Sequence, residues 1–179
     1  MRLKIALQKS GRMGKESLQL MERCGFSVSN SERKLFIRIP EIPIDILLVR
    51  NIDIVEFIKN GVCDLAIVGE DIFRETMESS QSSNLKIIQR LGFSKCRLCL
   101  AVPTNSKIES LKDLEGLKIA SSYPQTTYSF LESQGIKCEL VRMEGSVEVA
   151  PKLGIAQGIS DLVRSEEHTS ELQSPDHLV

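Results

Sequence analysis

Five polar clusters in this 179-residue chain have residue types and spacing suited to ligand chemistry. Gln8-Lys9-Ser10-Gly11-Arg12 follows an apolar run. Lys9 and Arg12 suit phosphate oxygens, and Gly11 lets backbone approach a ligand; the other reading is a solvated turn before a helix. Arg50-Asn51-Ile52-Asp53 offers a guanidinium for an anion, while Asp53 serves equally as a carboxylate favoured by a helix N-terminus. In Gly69-Glu70-Asp71 the glycine suits a tight strand-to-helix turn, and Glu70 and Asp71 suit ligand hydroxyls or magnesium, or simply begin the helix. Ser121-Ser122-Tyr123-Pro124 sets small hydroxyls and an aromatic just before a helix, which suits a nucleotide; packing of Tyr123 into the core is the alternative. The fifth cluster combines Gly145-Ser146-Val147-Glu148 with Ile159-Ser160-Asp161, where Asp161 is the one charge in an apolar run and suits ribose hydroxyls.

What is missing narrows the chemistry further. Both histidines, His168 and His177, fall in the last 16 residues, so residues 1–163 cannot assemble a Ser/His/Asp or Cys/His nucleophile pair. Five cysteines is an odd number, and with no secretory signal they are expected as reduced thiols. Cys96-Arg97-Leu98-Cys99 has the spacing of a metal or redox pair, but no second pair or nearby histidine completes a zinc set. In a strand, residues three apart face opposite sides, so the pair reads as structural.

The elements that would position these clusters alternate. Strands are expected at residues 3–7, 35–39, 44–49, 64–68, 85–91, 96–102, 117–120, 137–141 and 159–163. Helices are expected at 15–24, 52–58, from Gly69 onward, near 110–114, at 124–134, and at 146–157 capped by Ser146. Gly25, Asn60-Gly61 and Gly135 stand where helices end. Residues 78–84, rich in serine, read as an exposed loop. The pattern is α/β with mostly parallel sheets, and it restarts near residue 95, which predicts two lobes with a cleft between them. In such sheets ligands sit beyond the carboxyl ends of the strands, where all five clusters fall.

Composition sets the frame. The 23 basic and 24 acidic residues give −1, which argues against a general nucleic-acid binder. No apolar run reaches a membrane span and no signal peptide is visible, so a cytoplasmic protein is expected. The residues alone thus describe a two-lobed α/β protein binding a phosphorylated, hydroxyl-rich ligand.

At these clusters the sequence resembles the ATP phosphoribosyltransferase family. The resemblance is carried by Ile5-Ala6-Leu7-Gln8-Lys9-Ser10-Gly11-Arg12, Pro43-Ile44-Asp45 through Arg50, and Gly61-Val62-Cys63-Asp64 through Glu70. It continues in Cys96-Arg97-Leu98, Ile119-Ala120-Ser121-Ser122-Tyr123-Pro124 and Gly145-Ser146-Val147-Glu148-Val149-Ala150-Pro151. It spans about residues 2–163 and looks like the long form, whose catalytic region precedes a regulatory domain. It implies a fold like type II periplasmic binding proteins, a homo-oligomeric parent, and a Mg2+-dependent reaction. In that reaction N1 of ATP displaces pyrophosphate from phosphoribosyl pyrophosphate, in the first step of histidine biosynthesis. By the same resemblance Gln8, Lys9, Gly11, Arg12, Arg50, Glu70 and Tyr123 line the nucleotide and pyrophosphate side, while Asp71 and Ser122 are substrate-binding candidates from their clusters alone. Glu148 and Asp161 lie on the phosphoribosyl side.

The pattern departs after Val163. The family continues into a Thr-Gly-x-Thr loop whose amides and hydroxyls hold the 5′-phosphate. Here Arg164-Ser165-Glu166-Glu167 follow, with no glycine and with two carboxylates where a phosphate belongs. Residues 164–174 resemble a sequencing-adapter oligonucleotide translated in frame, and residues 175–179 fit the same extension; the other reading of this composition is a natural disordered terminus. On the adapter reading the domains are 1–95, 96–163 and an appended tail, 164–179. The tail carries −3, so setting it aside turns the overall −1 into +2.

Overall fold

The apolar run Ile5-Ala6-Leu7 is buried throughout, as a central parallel strand covered on both faces must be. In the computed structural model, which describes residues 2–28, 34–78 and 85–164, this run lies in β1 (Leu3–Gln8). Successive side chains alternate between faces: Ile5 and Leu7 join a core with Met21, Ile37, Ile46 and Leu48, whereas Ala6 packs with Ile54 and Cys63.

The chain divides into two compact units, Met1–Ser94 and Lys95–Val179. In the first, β1 leads into α1 (Gly11–Arg23), then β2 (Phe36–Ile39), β3 (Ile44–Val49), α2 (Asn51–Lys59), β4 (Leu65–Ala66) and α3 (Glu70–Glu78). The sheet order is β2-β3-β1-β4. β3 and β4 run parallel to β1, and β2 is an antiparallel edge. Gly25 and Gly61, at φ +86 and +67, take the left-handed conformation that closes α1 and α2.

The second unit repeats the design. It contains β5 (Cys96–Ala101), a 3-10 turn at Leu111–Leu114, β6 (Lys118–Ser121), α4 (Pro124–Ser133), β7 (Glu139–Arg142), a 3-10 turn at Val147–Val149 and β8 (Gly158–Arg164). The sheet order is β5-β8-β6-β7, with β6 parallel to β7 and β8, and β5 antiparallel to β8. β6 is again central: Ile119 packs with Leu114, Leu131 and Ile136, and Ala120 with Val147, Ala150 and Ala156.

Four expectations need correction. First, α1 starts at Gly11 rather than Lys15, so Gln8 ends β1 and the loop shrinks to Lys9-Ser10. Gly11 makes this turn at φ +80, and a side chain on Gly14 would come within 2.6 Å of the Gln8 carbonyl oxygen. Second, β4 has two residues instead of five. Third, residues 85–91 form no strand: they are largely exposed, with Ile88 at 77% exposure. Their β-branched character expresses itself only beside a ladder partner, which none of the described residues provides. Fourth, residues 146–157 are not a helix. Ser146 is left-handed at φ 50 with no side-chain cap, and Pro151 and Gly154 (φ +68) break the chain into turns. The serine-rich stretch 79–84 lies outside the described residues. No helix among the described residues is long and apolar enough to cross a membrane.

Candidate functional site

Parallel pairing brings the carboxyl ends of β1, β3 and β4 to one edge of the first unit. Gln8 is in register with Val49, and the Lys9 amide donates to the Val49 carbonyl at 2.8 Å. Lys9 is therefore held beside Arg50, the residue immediately before α2. Lys9 is exposed, and the Arg50 side chain is 81% exposed while its Nε donates to Asp53 Oδ2 at 2.9 Å. Arg12, on the first turn of α1, has Nε 4.0 Å from the Glu16 carboxylate. This edge thus carries three cations on two β-α connections, Lys9 and Arg12 between β1 and α1 and Arg50 between β3 and α2.

Glu70 and Asp71 open α3 at the same edge. Arg74 donates to Glu70 at 2.8 Å, and Arg90 binds its other oxygen. The Arg90 guanidinium first, and Arg74 second, hold the Glu70 carboxyl below its ordinary 4.5. Glu70 is accordingly an ionised carboxylate engaged by two guanidinium groups. A side chain on Gly69 would come within 2.1 Å of Asp71 Oδ1, so the Asp71 carboxylate would have to turn away.

In the second unit the ends of β6, β7 and β8 form the corresponding edge. Ser122 and Tyr123 lie between β6 and α4, and the Gly145 amide donates to Ser122 Oγ at 3.3 Å, joining the β6 and β7 loops. Asp161 lies in β8, its Oδ1 accepting from the Leu162 amide at 2.8 Å. Glu148 is exposed on a single 3-10 turn, so no helix dipole supports it there. The expected site residues therefore fall into two groups: Gln8, Lys9, Gly11, Arg12, Arg50, Glu70 and Asp71 in the first unit, and Ser122, Tyr123, Glu148 and Asp161 in the second. Tyr123 shares its unit with Glu148 and Asp161, not with the cationic cluster.

Sequence reasoning passed over Thr127, which lies behind this second edge with Ser121 and Ser160 of the fourth and fifth clusters. Ser121, Thr127 and Ser160 are 0–1% exposed and hydrogen-bonded to one another. The signal was present: Thr127 shares the buried stripe of α4 with Pro124 and Leu131. The five cysteines are thiols, and Cys96 is exposed whereas Cys99 is half-buried.

Two parallel-centred α/β sheets, each with polar loops at its carboxyl edge, give the chain a fold of the periplasmic-binding-protein kind. The aliphatic sulphonate binding protein SsuA of Escherichia coli shares this fold at a TM-score of 0.53, covering 89% of this chain and 53% of SsuA; at 18% identity the likeness concerns fold alone. Within that class, residues 50–172 match the HisG family, ATP phosphoribosyltransferase, and the chain belongs to it. It is 42% identical over 165 residues to an ATP phosphoribosyltransferase of Maricaulis maris, covering 92% of this chain and 56% of that protein. The chain thus spans little more than half the length of this relative. It also resembles the solved ATP phosphoribosyl transferase (HisG:HisZ) complex from Thermotoga maritima, at 25% identity and a TM-score of 0.70 over 91% of this chain and 75% of that one. The family match reaches residue 172, past Arg164.

Proposed function

We propose that this chain carries binding and catalytic residues of an ATP phosphoribosyltransferase, which joins N1 of ATP to C1 of phosphoribosyl pyrophosphate and releases pyrophosphate. The observation that carries the reading is the 42% identity over 92% of the chain. The charge pattern supports it: Lys9, Arg12 and Arg50 share one edge and suit the pyrophosphate, which gains charge as its bond to C1 breaks. Glu148 and Asp161 supply carboxylates for ribose hydroxyls, and Ser122 and Tyr123 a polar and aromatic surface for the purine. Adenine N1 has a free lone pair at neutral pH, so the attack needs no general base. Rate then comes from holding the two substrates in line and from the cations facing the leaving group.

The reaction class implies Mg2+. Among the described residues no group of three His, Cys, Asp or Glu can hold a metal, and Glu70 is already engaged by two arginines. This donor set does not fit a resident ion; magnesium suits the polyphosphates of the substrates, keeping most of its waters. On this reading the protein is cytoplasmic, residues 1–95 and 96–163 are its lobes, and residues 164–179 are an appended tail. Assembly follows the relatives, as a homo-oligomer or with a HisZ-like partner.

Isothermal titration tests the function. Binding of ATP or of phosphoribosyl pyrophosphate with Mg2+ is expected. Binding of amino acids alone would overturn the reading in favour of a non-catalytic sensor of the same fold.

A further inference from the structure

The second unit holds three hydroxyls where its core elsewhere is apolar. Ser121 ends β6, Thr127 lies one turn into α4, and Ser160 lies in β8. Ser121 Oγ donates to the Ser160 carbonyl at 2.7 Å and accepts from the Tyr123 amide at 2.9 Å. Thr127 Oγ1 is 2.8 Å from the Tyr123 carbonyl and 2.8 Å from Ser160 Oγ. A threonine hydroxyl has one proton. If it goes to the Tyr123 carbonyl, Ser160 donates to Thr127, and every hydroxyl in the cluster is satisfied.

The arrangement clamps one residue. The Tyr123 amide is held by Ser121, and its carbonyl by both the Thr127 amide, at 3.0 Å, and the Thr127 hydroxyl. Ser160 ties this clamp to the strand position immediately before Asp161. Apolar residues of similar size would fill the space but leave the Tyr123 amide and its partners without the bonds the hydroxyls make, so the hydroxyls do more than pack. What they add is direction: in a water-excluded spot each bond favours a single geometry.

We infer that Ser121, Thr127 and Ser160 form a buried positioning network that sets Tyr123 and Ser122, at the start of α4, against Asp161 for nucleotide binding. None of the three touches the ligand; they act through Tyr123, Ser122 and Asp161. The inference rests on the transferase reading above.

Its test is titration of ATP into the 179-residue chain and into Thr127→Val, Thr127→Ser and Ser160→Ala, well below each melting temperature. Thr127→Val keeps the shape and removes the hydroxyl, and it should weaken ATP binding about tenfold, the effect of one lost oriented hydrogen bond. Thr127→Ser keeps the hydroxyl and should restore affinity to within about twofold. Ser160→Ala removes less volume and should weaken binding in the same sense, which decides the matter if Thr127→Val does not fold. A purely structural network would lower the melting temperature of the valine and alanine variants and leave their ATP affinity unchanged; that result overturns the inference while the transferase reading stands. Equal weakening by Thr127→Ser and Thr127→Val also overturns it, because the hydroxyl would not be the cause. Failure of the unmodified chain to bind ATP overturns this inference, and the transferase reading falls with it only if phosphoribosyl pyrophosphate does not bind either.

Discussion

At the scale of single residues, environment separates groups that look alike in the sequence. Cys63 and Cys96 are both single thiols, yet Cys63 is 3% exposed and Cys96 is exposed. Burial, reinforced by the neighbouring Asp64 carboxylate, raises the Cys63 thiol above its ordinary 9.0. An aromatic disulfide reagent at neutral pH should therefore label Cys24 and Cys96 promptly and Cys63 only on unfolding, with peptide mapping as the readout. Glu70 is shifted the other way. Its carboxyl is held below 4.5 by Arg90 and Arg74, so the pairing stabilises the fold fully above that value. The stabilisation is lost as pH falls through the lowered folded value. Urea unfolding should show a small advantage of the native chain over Glu70→Gln at pH 7 that disappears in acid and weakens in high salt. Persistence of the difference in strong acid would count against the ion pairs.

At the scale of elements, two close contacts hold the first unit's edges in place. Arg2 reaches over the β2-β3 connection: Nε meets Asp45 Oδ1 at 2.9 Å, and a terminal nitrogen donates to the carbonyls of Ile39, Ile42 and Ile44. Asp45 is 4% exposed, so removing Arg2 leaves a buried carboxylate with only Arg38, at 3.4 Å. Arg2→Ala should cost about 3 kcal/mol in chemical denaturation, typical of a broken buried pair. The opposite edge depends on α1 crossing close to β1. Gly14→Ala would press a methyl against the Gln8 carbonyl and should destabilise by about 2 kcal/mol, the scale of overpacking in a tight site. The same shift would displace Lys9 and Arg12. Two segments depart from what their local pattern favours. Residues 85–91 have strand-forming side chains but no partner, and residues 146–157 have helical spacing but carry Pro151 and a left-handed Gly154. Local pattern describes what a segment favours, and neighbours and backbone geometry decide whether it forms.

At the scale of the whole molecule, the two units repeat one plan: a central parallel strand buried on both faces, with an antiparallel edge strand and polar loops at the carboxyl edge. After Asp161 the chain reads Leu162-Val163-Arg164-Ser165-Glu166-Glu167, two carboxylates standing where the resemblance calls for a Thr-Gly-x-Thr phosphate loop. We accordingly expect little phosphoribosyl-ATP when the 179-residue chain is assayed with both substrates and Mg2+. Turnover near that of full-length relatives would contradict this.

The sequence by itself determined most element types, residues 146–157 being the case where spacing and end signals agreed on a helix that Pro151 and Gly154 prevent. β1, β3, α2 and β5 lie within two residues of their expected places at either end, and Gly25, Gly61 and Gly135 close helices as their positions imply. It also determined the family, because six motifs in order are far more specific than any one of them. Tertiary structure alone decided which strands pair, and hence that Lys9, Arg12 and Arg50 share one edge while Tyr123 lies with Asp161. It alone showed that Glu70 is already paired and that three scattered hydroxyls, Ser121, Thr127 and Ser160, meet in one buried cluster. The physical reason is range. Periodicity and turn chemistry act over a few residues, whereas strand pairing and buried hydrogen bonds join residues tens of positions apart, and no local pattern encodes that distance.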